Sequence, residues 1–136
     1  MTADAGAESI IVVWDSIAGV PMKTITSTHS RGIISIDVSS DALYIAALTG
    51  FALDTPQEVC VFEWSREDSN EPLLREQTLT SDAQHTVKFN VAHHSELNTT
   101  GNRSVCFWNW DLLRLEGYVA SHPPNIRANF TCEFGR

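Results

Sequence analysis

One pattern, stated three times, constrains this chain more than anything else in it. Ile10-Ile11-Val12-Val13-Trp14-Asp15, Val59-Cys60-Val61-Phe62-Glu63-Trp64 and Val105-Cys106-Phe107-Trp108-Asn109-Trp110-Asp111 each lead a run of β-branched or aromatic residues into an aromatic followed by a polar residue. Trp14, Phe62 and Trp108 stand 48 and 46 residues apart. Val, Ile and aromatic side chains suit a pleated, buried surface. A unit repeated at a fixed period of this length is one supersecondary element that cannot bury its apolar face alone, so neighbouring units must stack.

The residues between the copies fill out the same unit. After the first copy, Ser16 to Gly19 read as a turn and Pro21 to Thr26 as an outer strand, where a leading Pro removes no needed ladder donor. Thr28 to Gly32 is a polar loop. Ile33 to Val38 reads as a strand with Ile34, Ile36 and Val38 on one face. Ser39-Ser40-Asp41 is a turn cluster and Leu43 to Leu48 the next strand. Gly50 to Gln57 is a long connection into the second copy. Arg66 to Pro72 is a charged insertion, and Leu73 to Leu79 an outer strand. The last unit repeats the plan: Thr86 to Asn90 with Val87 and Phe89 inward, a turn at His93 to Glu96, a short polar strand at Leu97 to Thr100, the third copy, and an outer strand within Leu112 to Ala120. Ser121 to Pro124 breaks regular structure, and Asn129 to Phe134 reads as the start of a further strand.

Loop, strand, tight turn, strand, aromatic-ending strand and outer strand form the blade of a WD-repeat propeller. The fold class is therefore all-β: a partial WD40 β-propeller of about two and a half to three four-stranded antiparallel blades. Residues 1–9 read as an N-terminal extension, 10–120 as the blades, and 121–136 as a tail or the start of another blade. Propellers close with at least four blades, so this length leaves sheet faces and edges open at both ends.

Composition narrows the function. The chain has 136 residues with 43% hydrophobic and 19% charged residues, enough for a packed core. Nine basic against seventeen acidic residues give a net charge of −8, which argues against a nucleic-acid or anionic-membrane surface. No apolar run reaches the roughly 20 residues of a membrane span, and Met1 to Ser9 lacks a basic, signal-like start, so the chain reads as intracellular. Cys60, Cys106 and Cys132 are odd in number and unclustered, and read as buried thiols. The N-x-S/T triplets at Asn98, Asn102 and Asn129 have no secretory context and read as accidental.

The candidate functional residues are structural. Trp14, Phe62 and Trp108 are expected between blades, with Trp64 and Trp110 on the same sheet face. Asp15 starts the turn to the outer strand. His29 is expected to close a hydrogen-bond network with a turn aspartate, Asp37 or Asp41, and the third-strand tryptophan. His93-His94 lacks further ligands at metal-binding spacing. No nucleophile elbow, phosphate-binding loop or H-E-x-x-H occurs, so no catalytic residue, metal or cofactor is assigned. The charge run holding Arg66, Glu67, Asp68 and Glu71 is a solvated insertion on a propeller rim, where partner contacts collect.

The chain also resembles a specific family. Ile11-Val12-Val13-Trp14-Asp15-Ser16 with Gly19-Val20-Pro21, then Pro56 to Trp64, then Val87-Lys88-Phe89-Asn90 with Glu96-Leu97, is similar to the WD-repeat subunit of the calmodulin- and spoke-associated complex of cilia. The similarity runs from about Ser9 to Asp111. Phe62 stands where that family has Trp, and Leu97 to Thr100 is thin for its second strand. Members are far longer and carry calcium-binding helices, but no D-x-D-x-D-G loop exists here, so calcium binding is not carried over. The resemblance implies a structural scaffold at the base of axonemal radial spokes. Its partners would be other spoke-complex subunits, calmodulin-associated ones included, and its contact with the doublet microtubule indirect. Cys106-Phe107-Trp108-Asn109-Trp110 also resembles the microtubule-associated proteins of the echinoderm type, whose basic segments this acidic chain lacks. The alternative class is a propeller segment of an enzyme or enzyme adaptor whose chemistry lies elsewhere.

Overall fold

A computed structural model of the chain describes residues 1–3, 9–27, 31–67 and 70–121. The described residues form eleven strands and no helix: β1 (Thr2–Ala3), β2 (Ser9–Trp14), β3 (Pro21–Ser27), β4 (Ile33–Val38), β5 (Tyr44–Thr49), β6 (Glu58–Glu63), β7 (Leu74–Gln77), β8 (Gln84–Phe89), β9 (Glu96–Gly101), β10 (Ser104–Trp110) and β11 (Leu115–Ser121). They make three antiparallel meanders, with strand orders β1-β2-β3, β4-β5-β6-β7 and β8-β9-β10-β11. These are three successive blades, and no helix of the described residues is long and apolar enough to cross a membrane.

The core lies between the sheets. Ile11, Val13 and Ile25 of the first sheet pack with Ile33, Ile45, Ala47, Cys60 and Phe62 of the second. Ala46, Leu48, Val59, Val61 and Leu74 of the second sheet pack with Val87, Phe89, Leu97, Cys106, Trp108, Trp110 and Leu115 of the third. Side chains alternate along a strand, so β6 sends Cys60 and Phe62 to one neighbour and Val59 and Val61 to the other. This two-sided burial explains why the third-strand copies are nearly continuous apolar runs rather than alternating ones.

Polar side chains complete the junctions. Ser35 Oγ accepts the Val87 N–H at 3.1 Å and Asp37 Oδ2 accepts the Phe89 N–H at 2.8 Å. The inner edge of β8 is thereby satisfied by side chains of β4 rather than by another strand. Gln57 is 2% exposed, and its amide donates to the carbonyls of Thr49 and Gln84 at 2.9 Å each. Its Oε1 accepts the Gln84 N–H at 2.7 Å. One glutamine thus does the work of a backbone peptide across two sheets, and a buried polar group so paired is stable where an unpaired one would be costly.

Four elements differ from the sequence reading. Thr2 and Ala3, within the stretch read as an extension, pair with Val12 and Ile11 of β2. Ile34 does not share a face with Ile36 and Val38. The register shifts between Ile33 and Ser35, a bulge that puts Ile33 in the core and leaves Ile34 43% exposed. The equivalent bulge recurs between Gln84 and Thr86. The polar second strand of the last unit is a full six-residue strand whose Asn98, Thr99 and Thr100 are buried. The outer strands are β7, trimmed to Leu74–Gln77, and β11, Leu115–Ser121, which starts later than expected and runs into Ser121, read as the start of the break. The further strand expected at Asn129 to Phe134, and most of the 121–136 tail, lie outside the described residues.

Candidate interaction surface

The aromatic of each repeat has a definite place. Trp108, 1% exposed, lies in the core between the second and third sheets, and Phe62, 3% exposed, in the core between the first and second. Each therefore faces the blade before its own. The Trp108 indole N–H donates to Thr99 Oγ1 at 3.3 Å, and the ring lies over Gly117, its cross-strand partner in β11. A Cβ at Gly117 would come within 2.6 Å of the ring. In the second blade the residue matching Thr99 is Ala47, paired with Cys60 as Thr99 is with Cys106. Phe62 has no N–H to satisfy, and Ala47 has no side-chain acceptor.

Trp14 closes its strand as Trp110 does, and like Trp108 it gives its indole N–H to a threonine, Thr2 Oγ1, at 3.3 Å. It is not in a blade junction: it is 42% exposed, because its side of the first sheet has no described blade against it. Ile10, at 38%, and Met22, at 59%, share that open side.

The second tryptophans share a different task. Trp64 Nε1 donates to the Ala42 carbonyl at 2.6 Å, and Trp110 Nε1 to the His94 carbonyl at 2.8 Å. Both pin the turn between the first two strands of their own blade. At the rim of the second junction, Tyr44 meets Trp110 edge-on, with centroids 4.7 Å apart, and stacks on His94 at 6.0 Å.

The expected aspartate network takes another form. Asp41 does not reach the third-strand tryptophan; the neighbouring Ala42 carbonyl does. Asp41 Oδ1 accepts from Ser39 Oγ and from the Leu43 N–H, and Oδ2 lies 3.7 Å from His94 Nδ1. The Ser39 hydroxyl, then the Leu43 N–H, hold its carboxyl below the ordinary value. Asp37 is engaged with Phe89, and His29 lies outside the described residues. Asp15 does start the turn to the outer strand: its Oδ1 accepts the N–H groups of Ile17 and Ala18 at 2.8 and 3.0 Å, which lower its pKa, Ala18 most. Asp111 makes the same turn in the third blade through Leu113 and Arg114, a role the sequence reading did not assign. Its cue was available, since Asp15 and Asp111 both follow a tryptophan that closes the strand.

Two rim features remain solvent-facing. Arg66, Glu67 and Glu71 of the insertion are exposed; Asp68 lies outside the described residues. The insertion is anchored, because Lys23 of the first blade donates to the Arg66 carbonyl at 2.6 Å and Glu71 lies 3.9 Å from Arg75. On the opposite rim, Phe51, Leu53, Pro56 and Leu79 line an open groove of about 480 Å³, beside the Arg31–Asp54 pair at 3.4 Å. Among the described residues no three His, Cys, Asp or Glu side chains gather as a metal site. Cys60 and Cys106 are free and buried, and burial raises both thiols, Cys60 to about 11.

The fold and surfaces together define a class, the WD-type β-propeller. The β-propeller domain of Myceliophteria thermophila Cps50 (Swd1) overlaps 90% of this chain and is itself 35% covered, with a TM-score of 0.64 at 12% identity, a likeness of fold alone. No protein-family model matches the chain. Among curated proteins, the cilia- and flagella-associated protein 251 of Tetrahymena thermophila is 37% identical over 113 residues, that of Chlamydomonas reinhardtii 28% over 122, and that of Mus musculus 27% over 111. The chain belongs to the cilia- and flagella-associated protein 251 family. About 80% of it aligns with these relatives, and it spans only 11%, 15% and 8% of their respective lengths.

Proposed function

We propose that this chain is propeller substance of a non-catalytic scaffold that holds protein subunits together in the ciliary axoneme, at the base of the radial spokes. Membership of the cilia- and flagella-associated protein 251 family carries the ciliary part of the reading. The chemistry of the surface supports the scaffold part. Turn aspartates, indole N–H groups and the Gln57 amide hold the blades together, which leaves the loops of the two rims for contact. A rigid stack presenting loops on two rims is the usual architecture for contact with several proteins at once. The acidic balance suits protein partners and an indirect relation to the microtubule.

Affinity purification of the tagged native protein from cilia, with mass spectrometry, tests the reading. Co-purification of radial-spoke subunits and calmodulin-associated proteins, retained in moderate salt, is the expected result. Recovery with tubulin alone, or with an enzymatic assembly outside the cilium, would overturn it.

A further inference from the structure

Four turns of one rim are built in the same way. Asp15 Oδ1 accepts the Ile17 N–H at 2.8 Å, Asp41 Oδ1 the Leu43 N–H at 3.1 Å, Asn90 Oδ1 the Ala92 N–H at 2.9 Å and Asp111 Oδ1 the Leu113 N–H at 2.8 Å. They are the β4–β5 and β8–β9 turns and the β2–β3 and β10–β11 turns, alternate connections that an antiparallel meander places at one end of its sheet. Contacts between blades join these ends into one surface: Lys23 reaches Arg66, Asp41 reaches His94, and Tyr44 meets Trp110.

Each turn carries an exposed aliphatic side chain. Ile17 is 98% exposed, Leu112 70% and Leu113 89%, and Leu43 and Val91 are about half exposed. Turns of this kind ordinarily take polar residues. One such side chain alone would need no explanation, but their return at four rigid turns of one rim marks a contact surface. We propose that this rim docks a basic amphipathic helix of a partner protein.

Two features choose that occupant. The turns pair their backbone groups among themselves: the N–H of Gly19 donates to the Asp15 carbonyl, that of Ala42 to Ser39, that of Glu96 to His93 and that of Asp111 to Arg114. Among the described residues these turns therefore offer no open strand edge for an extended peptide to join. A segment that settles on them must satisfy its own backbone, as a helix does. Charge sets the second requirement. Asp15, Asp41, Glu67, Glu71 and Asp111 stand on this rim against Lys23, Arg66 and Arg114. Arg114 is itself held by Asp111 and Glu116, at 4.0 and 3.3 Å. Aliphatic tips with acids among them complement a helix whose apolar stripe is flanked by Lys or Arg.

The test follows, by fluorescence anisotropy, the binding of a labelled amphipathic helix of Leu and Lys to the full-length protein, beside a Leu and Glu helix of the same pattern. Binding of the Leu and Lys helix should fall about tenfold in the double variant Leu112→Asn, Leu113→Asn, and again in Ile17→Asn on a different blade. These side chains are outside the core, so thermal melts should not move, and the Ile17 variant decides if the double one does destabilise the third blade. Leu53→Asn, on the opposite rim, should bind as the wild type does, and the Leu and Glu helix should not bind. No binding, binding that both rim variants keep, equal loss in the Leu53 variant, or preference for the acidic helix would each overturn the inference. So would recruitment to phosphatidylcholine and phosphatidylserine vesicles that the rim variants abolish, which would make the tips a membrane contact. The inference rests on the scaffold reading, but co-purification decides that reading, so a failure here leaves it standing.

Discussion

The second and third blades solve the same packing problem with different chemistry. Both put an aromatic from the third strand against the preceding blade, and both set a second-strand residue beside it. In the third blade the pair is Trp108 with Thr99; in the second it is Phe62 with Ala47. A buried indole needs an acceptor for its N–H, because leaving that donor unpaired costs about 1–3 kcal/mol. A phenyl ring needs none, so an apolar residue can stand beside it. The pairs therefore change together: Trp with Thr, Phe with Ala. The first blade supports the rule from an exposed position, since Trp14 is again matched with a threonine, Thr2.

The comparison can be pressed, starting where the effect is greatest. Trp108→Ala removes a fully buried ring from the larger of the two described junctions and should lower the stability of the propeller by about 3–5 kcal/mol, read as a shift in the denaturant midpoint of the intact protein. Gly117→Ala should cost about 1–3 kcal/mol, because the new methyl meets a ring that packing holds on its other face. A neutral result there would mean that Trp108 is free to move, and that the third junction is looser than the second.

How much of this was legible in the sequence depends on the length scale of the signal. The third strands were readable because two-sided burial concentrates Val, Ile and aromatics into runs that recur at one period. The Asp15 turn was readable because an aspartate after a strand can bond its own backbone. Thr2–Ala3 was not readable, since two residues carry no periodicity. Ile34 was misplaced because a bulge shifts the alternation by one residue and leaves no mark in composition. Gln57 sat in a loop, where a glutamine is ordinarily solvated; only the approach of Gln84 from the next blade makes it a staple. The exposure of Trp14 follows from what lies against it, which the repeat pattern does not encode.

Smaller effects sharpen the picture of the rims. Asp41 has a folded-state pKa below its unfolded value of 3.8. Its contribution is therefore present above that pH and is lost as pH falls through the lower, folded value. Asp41→Asn keeps an acceptor for Ser39 and Leu43 but does not titrate, so thermal melts of this variant should depend less on pH below about pH 4 than those of the wild type. An unchanged acid dependence would remove Asp41 from the second junction's rim. Smallest of all, Glu67→Ala on the exposed insertion should stay within roughly 0.5 kcal/mol in the same denaturation measurement. A larger loss would make the insertion part of the blade packing.

The rule that pairs each aromatic with its second-strand neighbour is tested most directly by a double-mutant cycle that gives the third blade the second blade's pair. Trp108→Phe leaves the Thr99 hydroxyl without its donor, and Thr99→Ala leaves the indole N–H without its acceptor. Each single change should cost stability, and the double variant should cost less than the two together, by about 0.5–3 kcal/mol. Strict additivity in the denaturation of the intact protein would contradict the account, because it would mean that Trp108 and Thr99 are neighbours by position and not by need.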